Sequence, residues 1–187
     1  MRIITGKYKG FQLRAPKTMD TRPATDRVKE TIFNILANRM SFEQTQVLDL
    51  FAGSGSLGFE ALSRGAAHVV FVDASENSRS VLKENIEKLR CPDACTIMRE
   101  DALRFVHMWS KKFDVIFADP PFRYAEYDTL LMNLFASELL DEHGLLVIRY
   151  QSNRELIIPD CWQQAAFRKI GDSSVSFLES NTEKVSL

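Results

Sequence analysis

The chain has 187 residues, 45% of them hydrophobic and 26% charged, which is the composition of one ordinary globular domain. No apolar run reaches the roughly 18 to 20 residues of a membrane-spanning helix, and the segment MRIITGKYKG lacks the apolar core of a secretory signal. We therefore expect a cytoplasmic protein without a membrane partner.

The cysteines do not have the spacing of a metal site or of a disulfide framework. Cys91, Cys95 and Cys161 are odd in number and form no C-x-x-C pair, and the three histidines stand far from them in the sequence. Cysteines of cytoplasmic proteins are usually reduced thiols. We expect no metal and no disulfide.

Basic residues are concentrated at the start of the chain. Residues 1–39 contain nine lysines and arginines against three acids, a net charge of +6, so the remainder carries −7 of the total of −1. Such segments often bind nucleic acid, although a solvated basic face has the same signature. The candidate nucleic-acid contacts, one of which lies further along the chain, are Lys7, Lys9, Arg14, Arg22, Arg27 and Arg123.

The first elements are a β-like pair and a helix. Met1–Ile4 and Phe11–Ala15, separated by two glycines, predict a small hairpin or a loosely attached arm. Thr25 is the predicted N-cap of a helix. The apolar residues that follow it from Val28 onward recur at i, i+4, i+7 and i+8, so the helix is predicted to be amphipathic and to end near Asn38. We expect residues 1–39 to pack on a single compact domain formed by residues 40–187.

From Gln46 onward strands and helices alternate, and a final pair of strands around Gly171 predicts an antiparallel hairpin. Strands that are apolar along their whole length belong to a parallel sheet with helices on both faces. The predicted fold is α/β, a doubly wound, mostly parallel, seven-stranded sheet of the Rossmann-like type with a short basic N-terminal extension. The predicted strands are Val47–Phe51, Val69–Asp73, Thr96–Arg99, Phe113–Ala118, Leu145–Tyr150, Ala165–Ile170 and Ser174–Leu178, and the later helices are Leu57–Arg64, Glu76–Leu89, Leu103–Trp109 and Tyr127–Leu139.

The first of these strands runs into a glycine-rich loop with the spacing of a nucleotide-binding turn. Val47–Gly58 is V-L-D-L-F-A-G-S-G-S-L-G, and Asp73 ends the next strand, where a carboxylate can accept hydrogen bonds from both ribose hydroxyls. Asp49 lies inside the first strand, where a buried carboxylate repels a pyrophosphate but suits the ammonium group of a methionine. The sequence therefore favours S-adenosylmethionine over NAD.

The remaining predicted cofactor contacts follow the same logic. Gly53 and Gly55 form the loop, Asp101 follows the third strand and can accept from the adenine amino group, and Ala102 offers its N–H to the ring. Two alternatives stay open. Asp49 can simply hold amides of the loop, and Asp101 can simply cap the next helix.

The strand Phe113–Ala118 leaves the predicted sheet through Asp119, Pro120, Pro121 and Phe122. Prolines donate no N–H, so the carboxylate and the carbonyls form a patch of acceptors beside an aromatic ring. A nucleobase amine is a poor nucleophile, and two acceptors on its hydrogens favour a tetrahedral nitrogen aligned with a methyl donor. We predict that Asp119 and a proline carbonyl bind such an amine and that Phe122 stacks on the base. The alternative is a turn that Asp119 caps.

Taken together, these motifs resemble the bacterial RsmD-like methyltransferases, which methylate a guanine N2 in 16S ribosomal RNA. The resemblance runs from Met1 to about Leu178, and its blocks are M-R-I-I at 1–4, T-R-P at 21–23, D-R-V at 26–28, F-N at 33–34, Val47–Gly58 and Asp119–Phe122. It implies an rRNA guanine-N2 methyltransferase that uses S-adenosylmethionine and acts on the 30S subunit or on an assembly intermediate. We expect it to act as a monomer.

The resemblance also implies roles for single residues. It places a segment that borders the cofactor and RNA entrance at Thr21, Arg22, Arg27 and Asn34, although Arg22 and Arg27 can equally be structural. The chain departs from the family pattern at two positions: Asp73 stands where Glu is expected, and Ala24 stands where Thr is common. Neither departure touches the proposed chemistry.

Other functions stay open on the sequence alone. D-P-P-F does not distinguish guanine from adenine, so a DNA adenine-N6 or other nucleobase-amino methyltransferase is the first alternative, although such DNA enzymes usually need an added recognition domain. The glycine loop also suits an NAD-dependent oxidoreductase. A non-catalytic RNA-binding or assembly factor on the same fold is the third alternative.

Overall fold

The structure is a computed structural model that describes residues 1–16 and 26–181. No helix in these two ranges is long and apolar enough to cross a membrane. The helices are α1 (Asp26–Ala37), α2 (Ser56–Ser63), α3 (Glu76–Leu89), α4 (Ala102–Met108) and α5 (Tyr127–Ala136), and the strands are β1 (Gln46–Leu50), β2 (His68–Val72), β3 (Cys95–Met98), β4 (Phe113–Ala118), β5 (Leu140–Gln151), β6 (Trp162–Ile170) and β7 (Ser173–Ser180).

The seven strands form one sheet in the order β3-β2-β1-β4-β5-β7-β6. Strands β1 to β5 pair in parallel, and β7 runs antiparallel to both of its neighbours. The predicted doubly wound, mostly parallel sheet and its C-terminal hairpin are confirmed. The strand order reverses between β1 and β4, and ligands of open α/β sheets bind in the crevice that such a reversal leaves at the carboxyl ends of the strands.

Two hydrophobic cores cover the two faces of the sheet. Successive strand residues point to opposite faces, so Val47 joins the core under α1, α2 and α3, whereas Leu48 joins the core under α4 and α5. The same alternation puts Val115 and Phe117 of β4 on the first face. Because Asp49 stands two residues after Val47, its side chain is on that face as well.

Helix α5 ends three residues before its predicted end and strand β5 begins five residues before its predicted start, whereas the other bounds differ by at most three residues. Helix α5 ends at Ala136 because Glu138 adopts a left-handed backbone conformation, with φ of 52°, and Ser137 turns its hydroxyl onto the Leu134 carbonyl. Strand β5 begins at Leu140, before a polar stretch that favoured a loop, and its pairing with β4 shifts register between Phe113 and Val115. Both differences lie at the end of the sheet opposite the glycine loop.

The N-terminal residues form a small hairpin that is firmly attached. Arg2 pairs with Gln12 in antiparallel fashion, and Ile3 and Leu13 are buried against the core of α1 to α3. The backbone amides of Ile4 and Thr5 donate to Glu60 of α2 at 2.7 and 3.1 Å. The structure therefore favours the hairpin over the loosely attached arm. Thr25, the predicted N-cap of α1, lies outside the described residues.

The cysteines are free thiols. Cys91 and Cys95 flank the short turn between α3 and β3, and their Sγ atoms are 3.8 Å apart. In the described ranges, no group of three or more His, Cys, Asp and Glu side chains is arranged so that it could hold a metal ion.

Candidate active site

The acidic residues singled out in the sequence meet at one end of the sheet. Asp49 lies near the carboxyl end of β1, Asp73 directly after β2, Asp101 just after β3 and Asp119 directly after β4. Parallel strands bring these ends to one edge, and β1 is the neighbour of both β2 and β4. The edge coincides with the reversal in strand order.

Asp49 holds the first turn of the helix that follows the glycine loop. Its side chain is buried, and Oδ2 accepts the Gly58 amide at 2.9 Å. Burial raises the pKa of Asp49 well above its usual value; the Gly58 amide opposes the rise, and the nearby charges of Asp119 and Asp73 add to it. The contact with Gly58 is the structural role considered as the alternative. It occupies one carboxylate oxygen, so a cofactor role for Asp49 stays a prediction.

Glycine is required in the loop by conformation and by space. Gly55 has φ of 77°, and a Cβ there would lie 2.6 Å from the Phe59 ring. A Cβ on Gly58 would lie 2.4 Å from the Phe71 ring of β2. The loop therefore turns tightly into α2 and lets that helix pack closely on the sheet, as a nucleotide-binding turn requires.

Asp73 joins the glycine loop to the end of β2. Its Oδ2 accepts the Gly53 amide at 2.8 Å and its Oδ1 accepts the Ser75 amide at 2.9 Å. Each carboxylate oxygen has a second lone pair, so both can still accept a ribose hydroxyl. The geometry is compatible with the predicted role and does not test it.

Asp101 caps helix α4. Its Oδ1 accepts the amides of Leu103 and Arg104 at 3.0 and 3.2 Å, which is the structural alternative named for this residue. Within the described ranges Oδ2 has no donor, and the side chain is exposed at the end of β3. Ala102, the predicted backbone donor to adenine, is buried in the first turn of α4.

The segment after β4 forms a tight turn. Pro120 is buried, and the carbonyl of Pro121 accepts the Tyr124 amide at 2.8 Å. Of the two proline carbonyls, only that of Pro120 has no donor among the residues the structure describes. Phe122 is half-buried beside the turn. The Pro120 carbonyl is therefore the more available of the two carbonyls predicted as the second acceptor for an amine.

The Asp119 carboxylate forms an ion pair with Arg149. The Arg149 Nε donates to Asp119 Oδ1 at 2.5 Å, and the two side chains are only 6% and 15% exposed. Arg149 Nη1 also donates to Ser173 Oγ at 3.4 Å, and its guanidinium lies over the Phe122 ring, 5.2 Å from the centroid. Burial raises the pKa of Asp119, and the charge and hydrogen bond of Arg149 oppose that rise.

Sequence reasoning missed Arg149. Ala118, the last residue of β4, pairs with Ile148 of β5. The residues that follow these two, Asp119 and Arg149, are therefore neighbours on the same face of the sheet. The available signal was an arginine near the end of the predicted strand Leu145–Tyr150, which is otherwise apolar. Such a charge is rarely buried without a partner.

Aromatic rings surround the turn. Tyr124 packs edge-on against Phe51 of the glycine loop, with centroids 5.1 Å apart, and against Tyr127 at 5.3 Å. The hydroxyls of both tyrosines are buried without a hydrogen-bond partner in the described part of the chain. Burial raises the pKa of each to about 12. Arg154 fastens the same turn by donating to the Tyr124 carbonyl at 2.7 Å.

The candidate RNA contacts differ in exposure and partners. Lys7 and Lys9 are on the hairpin loop, Arg27 is on α1 and Arg123 follows Phe122, and all four are exposed. Arg14 is exposed and pairs with Glu84 at 2.9 Å, whereas Arg22 lies outside the described residues.

Lys29 corrects the charge count of the N-terminal segment. It is fully buried, and its Nζ donates to the Arg2 carbonyl. Burial lowers the pKa of Lys29, and the charges of Glu60 and Asp26 oppose that effect. The net charge of residues 1–39 therefore overstates the positive charge that this segment presents to solvent.

The sheet order, the reversed β7 and the glycine loop between β1 and α2 define a class of proteins, the Rossmann-like class I methyltransferase fold. The chain belongs to the family described as conserved hypothetical protein 95, the RsmD family, whose model matches residues 1–179.

Curated relatives and a solved structure agree with this assignment. The Bacillus subtilis protein YlbH is 39% identical over 163 residues, which span 86% of each chain. The Haemophilus influenzae protein named ribosomal RNA small subunit methyltransferase D is 36% identical over 87% of this chain and 84% of its own. The structure of Escherichia coli yhhF superimposes with a TM-score of 0.85 at 30% identity, covering 97% of this chain and 98% of its own. The predicted fold and the family resemblance are confirmed.

Proposed function

We propose that this protein uses S-adenosylmethionine to methylate the exocyclic N2 amine of a specific guanine in the 16S rRNA of the small ribosomal subunit. The observation that carries the proposal is the Asp119 carboxylate at the end of β4, which is 15% exposed. Its Oδ1 is held by Arg149, while its Oδ2 has no donor within residues 1–16 and 26–181 and lies in the D-P-P-F turn. The name of the Haemophilus influenzae relative supports ribosomal RNA of the small subunit as the substrate.

The residues at the ends of β1, β2 and β3 fit the cofactor. Asp73 keeps free lone pairs beside the loop amide that it already holds, and Asp101 keeps Oδ2 open. A positive group near the buried Asp49 carboxylate would offset the burial that raises the pKa of that residue. When bound, S-adenosylmethionine supplies a methyl group activated by a sulfonium.

The turn after β4 then binds and orients the amine. Asp119 Oδ2 and the Pro120 carbonyl accept its two hydrogens, and Phe122 stacks on the base. This arrangement favours a tetrahedral nitrogen whose lone pair faces the methyl donor, and it is made before the reaction, so little orientational entropy is lost at the barrier. The product ammonium releases its proton to water or to Asp119.

Residues 1–39 support recognition of the RNA. A target within folded rRNA is recognised by shape and by phosphate contacts, which the exposed Lys7, Lys9, Arg27 and Arg123 can provide. In this proposal the hairpin and α1 pack on one catalytic domain, and the protein acts as a monomer in the cytoplasm, on the 30S subunit or an assembly intermediate.

The deciding experiment is mass mapping of methylated nucleosides in 16S rRNA from cells with and without the gene, followed by repair of the unmethylated particles with purified protein. We expect loss and recovery of N2-methylguanosine at one site. N6-methyladenosine instead would establish the adenine alternative, and stabilisation of the protein by NAD but not by S-adenosylhomocysteine would establish an oxidoreductase.

The variant Asp119→Ala tests the role of the turn. We expect it to bind S-adenosylhomocysteine within about twofold of the wild type and to lose methyl transfer by about 1000-fold or more, because an amine-binding acceptor is removed. The matched control is Asp141→Ala, since Asp141 is a half-buried carboxylate near the start of β5, at the opposite end of the sheet. Equal turnover by Asp119→Ala and the wild type would refute the role of Asp119.

A further inference from the structure

Arg149 is a buried charge whose position follows from the sheet itself. The pairing of Ala118 with Ile148 brings Arg149 beside Asp119, and the Ser173 hydroxyl at the start of β7 contacts the guanidinium from the other side. The side chain is 6% exposed, so desolvation of the guanidinium is costly unless a partner offsets it. The partner is the carboxylate to which the proposed function assigns the amine.

We propose that Arg149 is the positioning residue of this methyltransferase: by binding Asp119 Oδ1 it fixes the carboxylate in its ionised form and presents Oδ2 to the amine of the target base. The inference rests on the proposed function and adds a residue to it. The guanidinium also lies over the Phe122 ring, so one side chain supports both the acceptor and the stacking platform.

The charge around Asp119 explains why such a residue is needed. Asp119 faces Arg149 of β5, Asp49 of β1 and Tyr127 of α5. Burial favours a protonated carboxyl group at Asp119, and a protonated Asp119 would offer a donor where the amine needs an acceptor. Arg149 is the cation that opposes this effect.

The geometry explains why the cation is an arginine. The guanidinium is planar with several fixed N–H groups, so Nε can hold Asp119 while Nη1 holds Ser173. A lysine supplies the charge from a single flexible point. Arg149→Lys should therefore preserve the ionisation of Asp119 better than it preserves the orientation of that carboxylate.

The test compares Arg149→Lys and Arg149→Gln with the wild type, by measuring kcat against pH on unmethylated 30S particles. At neutral pH we expect kcat to fall about 10-fold for Lys and about 100-fold or more for Gln, with S-adenosylhomocysteine binding within about twofold. The acid limb of the profile should move to higher pH by about one to three units for Gln and by less for Lys. The direction follows because Asp119 must be ionised and loses the charge that favours ionisation.

Ser173→Ala is the matched control. It removes the hydrogen bond between Arg149 and Ser173 and leaves the ion pair with Asp119, so we expect the acid limb of the wild type. A purely structural Arg149 would give lower stability and an unshifted limb in both Arg149 variants, and that result would overturn the inference. If Arg149→Gln does not fold, Arg149→Lys decides, since a wild-type kcat and profile in that variant would also overturn it. Absence of rRNA methylation by the wild type would instead refute the proposed function.

Discussion

Glu60 of α2 and Asp119 are both carboxylates with little exposure to solvent that pair with an arginine, and they differ in how many donors their oxygens have. Glu60 Oε1 accepts the Thr5 amide and Arg64 Nε, and Oε2 accepts the Ile4 amide. Asp119 Oδ1 accepts Arg149 Nε, and Oδ2 has no donor in the parts of the chain that the structure describes.

The difference has an energetic meaning. A buried acceptor without a donor costs free energy, and a carboxylate costs more than a neutral group. Glu60 avoids this cost by accepting two backbone amides of the hairpin. These hydrogen bonds attach residues 1–16 to α2. Asp119 leaves Oδ2 without a protein donor in the described ranges, so this oxygen can accept a hydrogen bond from an amine. A buried carboxylate with an open oxygen at the switch point of the sheet is therefore a stronger indication of function than burial or charge alone.

The largest change in stability is expected for Glu60→Gln. The amide group of Gln puts a donor against backbone donors and removes the charge that Arg64 and Lys29 face, so the free energy of unfolding should fall by about 3 kcal/mol. Urea unfolding measures the loss, and limited proteolysis should cut residues 1–16 first.

The control for Glu60 is Glu179→Gln. Glu179 pairs with Arg39 at 3.3 Å with both side chains more than a third exposed, and such pairs contribute about 0.5 kcal/mol or less. Equal losses in the free energy of unfolding of Glu60→Gln and Glu179→Gln would show that the hydrogen bonds to the Glu60 carboxylate are not what attaches the hairpin.

Asn85 of α3 connects the N-terminal hairpin to the glycine loop. It is fully buried, its Oδ1 accepts the Arg14 amide at 2.9 Å, and its Nδ2 donates to the carbonyls of Arg14 and Ser54, both at 3.1 Å. Asn85→Ala leaves these backbone groups unpaired, so we expect a loss of about 2 kcal/mol in stability and weaker S-adenosylhomocysteine binding. Faster hydrogen exchange should appear both near Arg14 and in the glycine loop.

The control for Asn85 is Asn38→Ala, at the exposed end of α1, where we expect a change within about 0.5 kcal/mol. Faster exchange near Arg14 without any change in the glycine loop would show that the hairpin and the loop are independent.

The sequence predicted what depends on local pattern. Apolar strands separated by helices, the glycine loop and the D-P-P-F turn are each contiguous, so the fold and the position of Asp119 could be predicted. Arg149 could not, because its partner is 30 residues away in the chain and only the register of β4 with β5 brings the two together. Lys29 was counted as surface charge for the same reason, since its burial depends on a hairpin that precedes it.

Asp49 is a third carboxylate, almost fully removed from solvent, and its ionisation should make the stability of the protein depend on pH. Its pKa in the folded protein is well above the ordinary value of 3.8, so the stability that its protonated form contributes is present at low pH and is lost as the pH rises through the folded pKa. Asp49→Asn can still accept the Gly58 amide. We expect the stability of the variant relative to the wild type to increase as the pH rises toward the folded pKa of Asp49, and the variant to bind S-adenosylhomocysteine more weakly. A relative stability that stays the same across this pH range would contradict this.

The smallest effect is expected for the RNA affinity of the N-terminal hairpin, which Glu60 attaches to α2. Lys9 is exposed on the hairpin loop, so Lys9→Gln should leave stability unchanged, weaken binding to 16S rRNA fragments by a few fold and reduce the slope of log K against log salt by about one. Lys111→Gln is the control, because Lys111 is an exposed lysine just before β4 and lies outside the hairpin. Equal changes in the salt dependence of Lys9→Gln and Lys111→Gln would mean that RNA binding depends only on total charge. The hairpin that Glu60 attaches would then have no specific role in RNA binding.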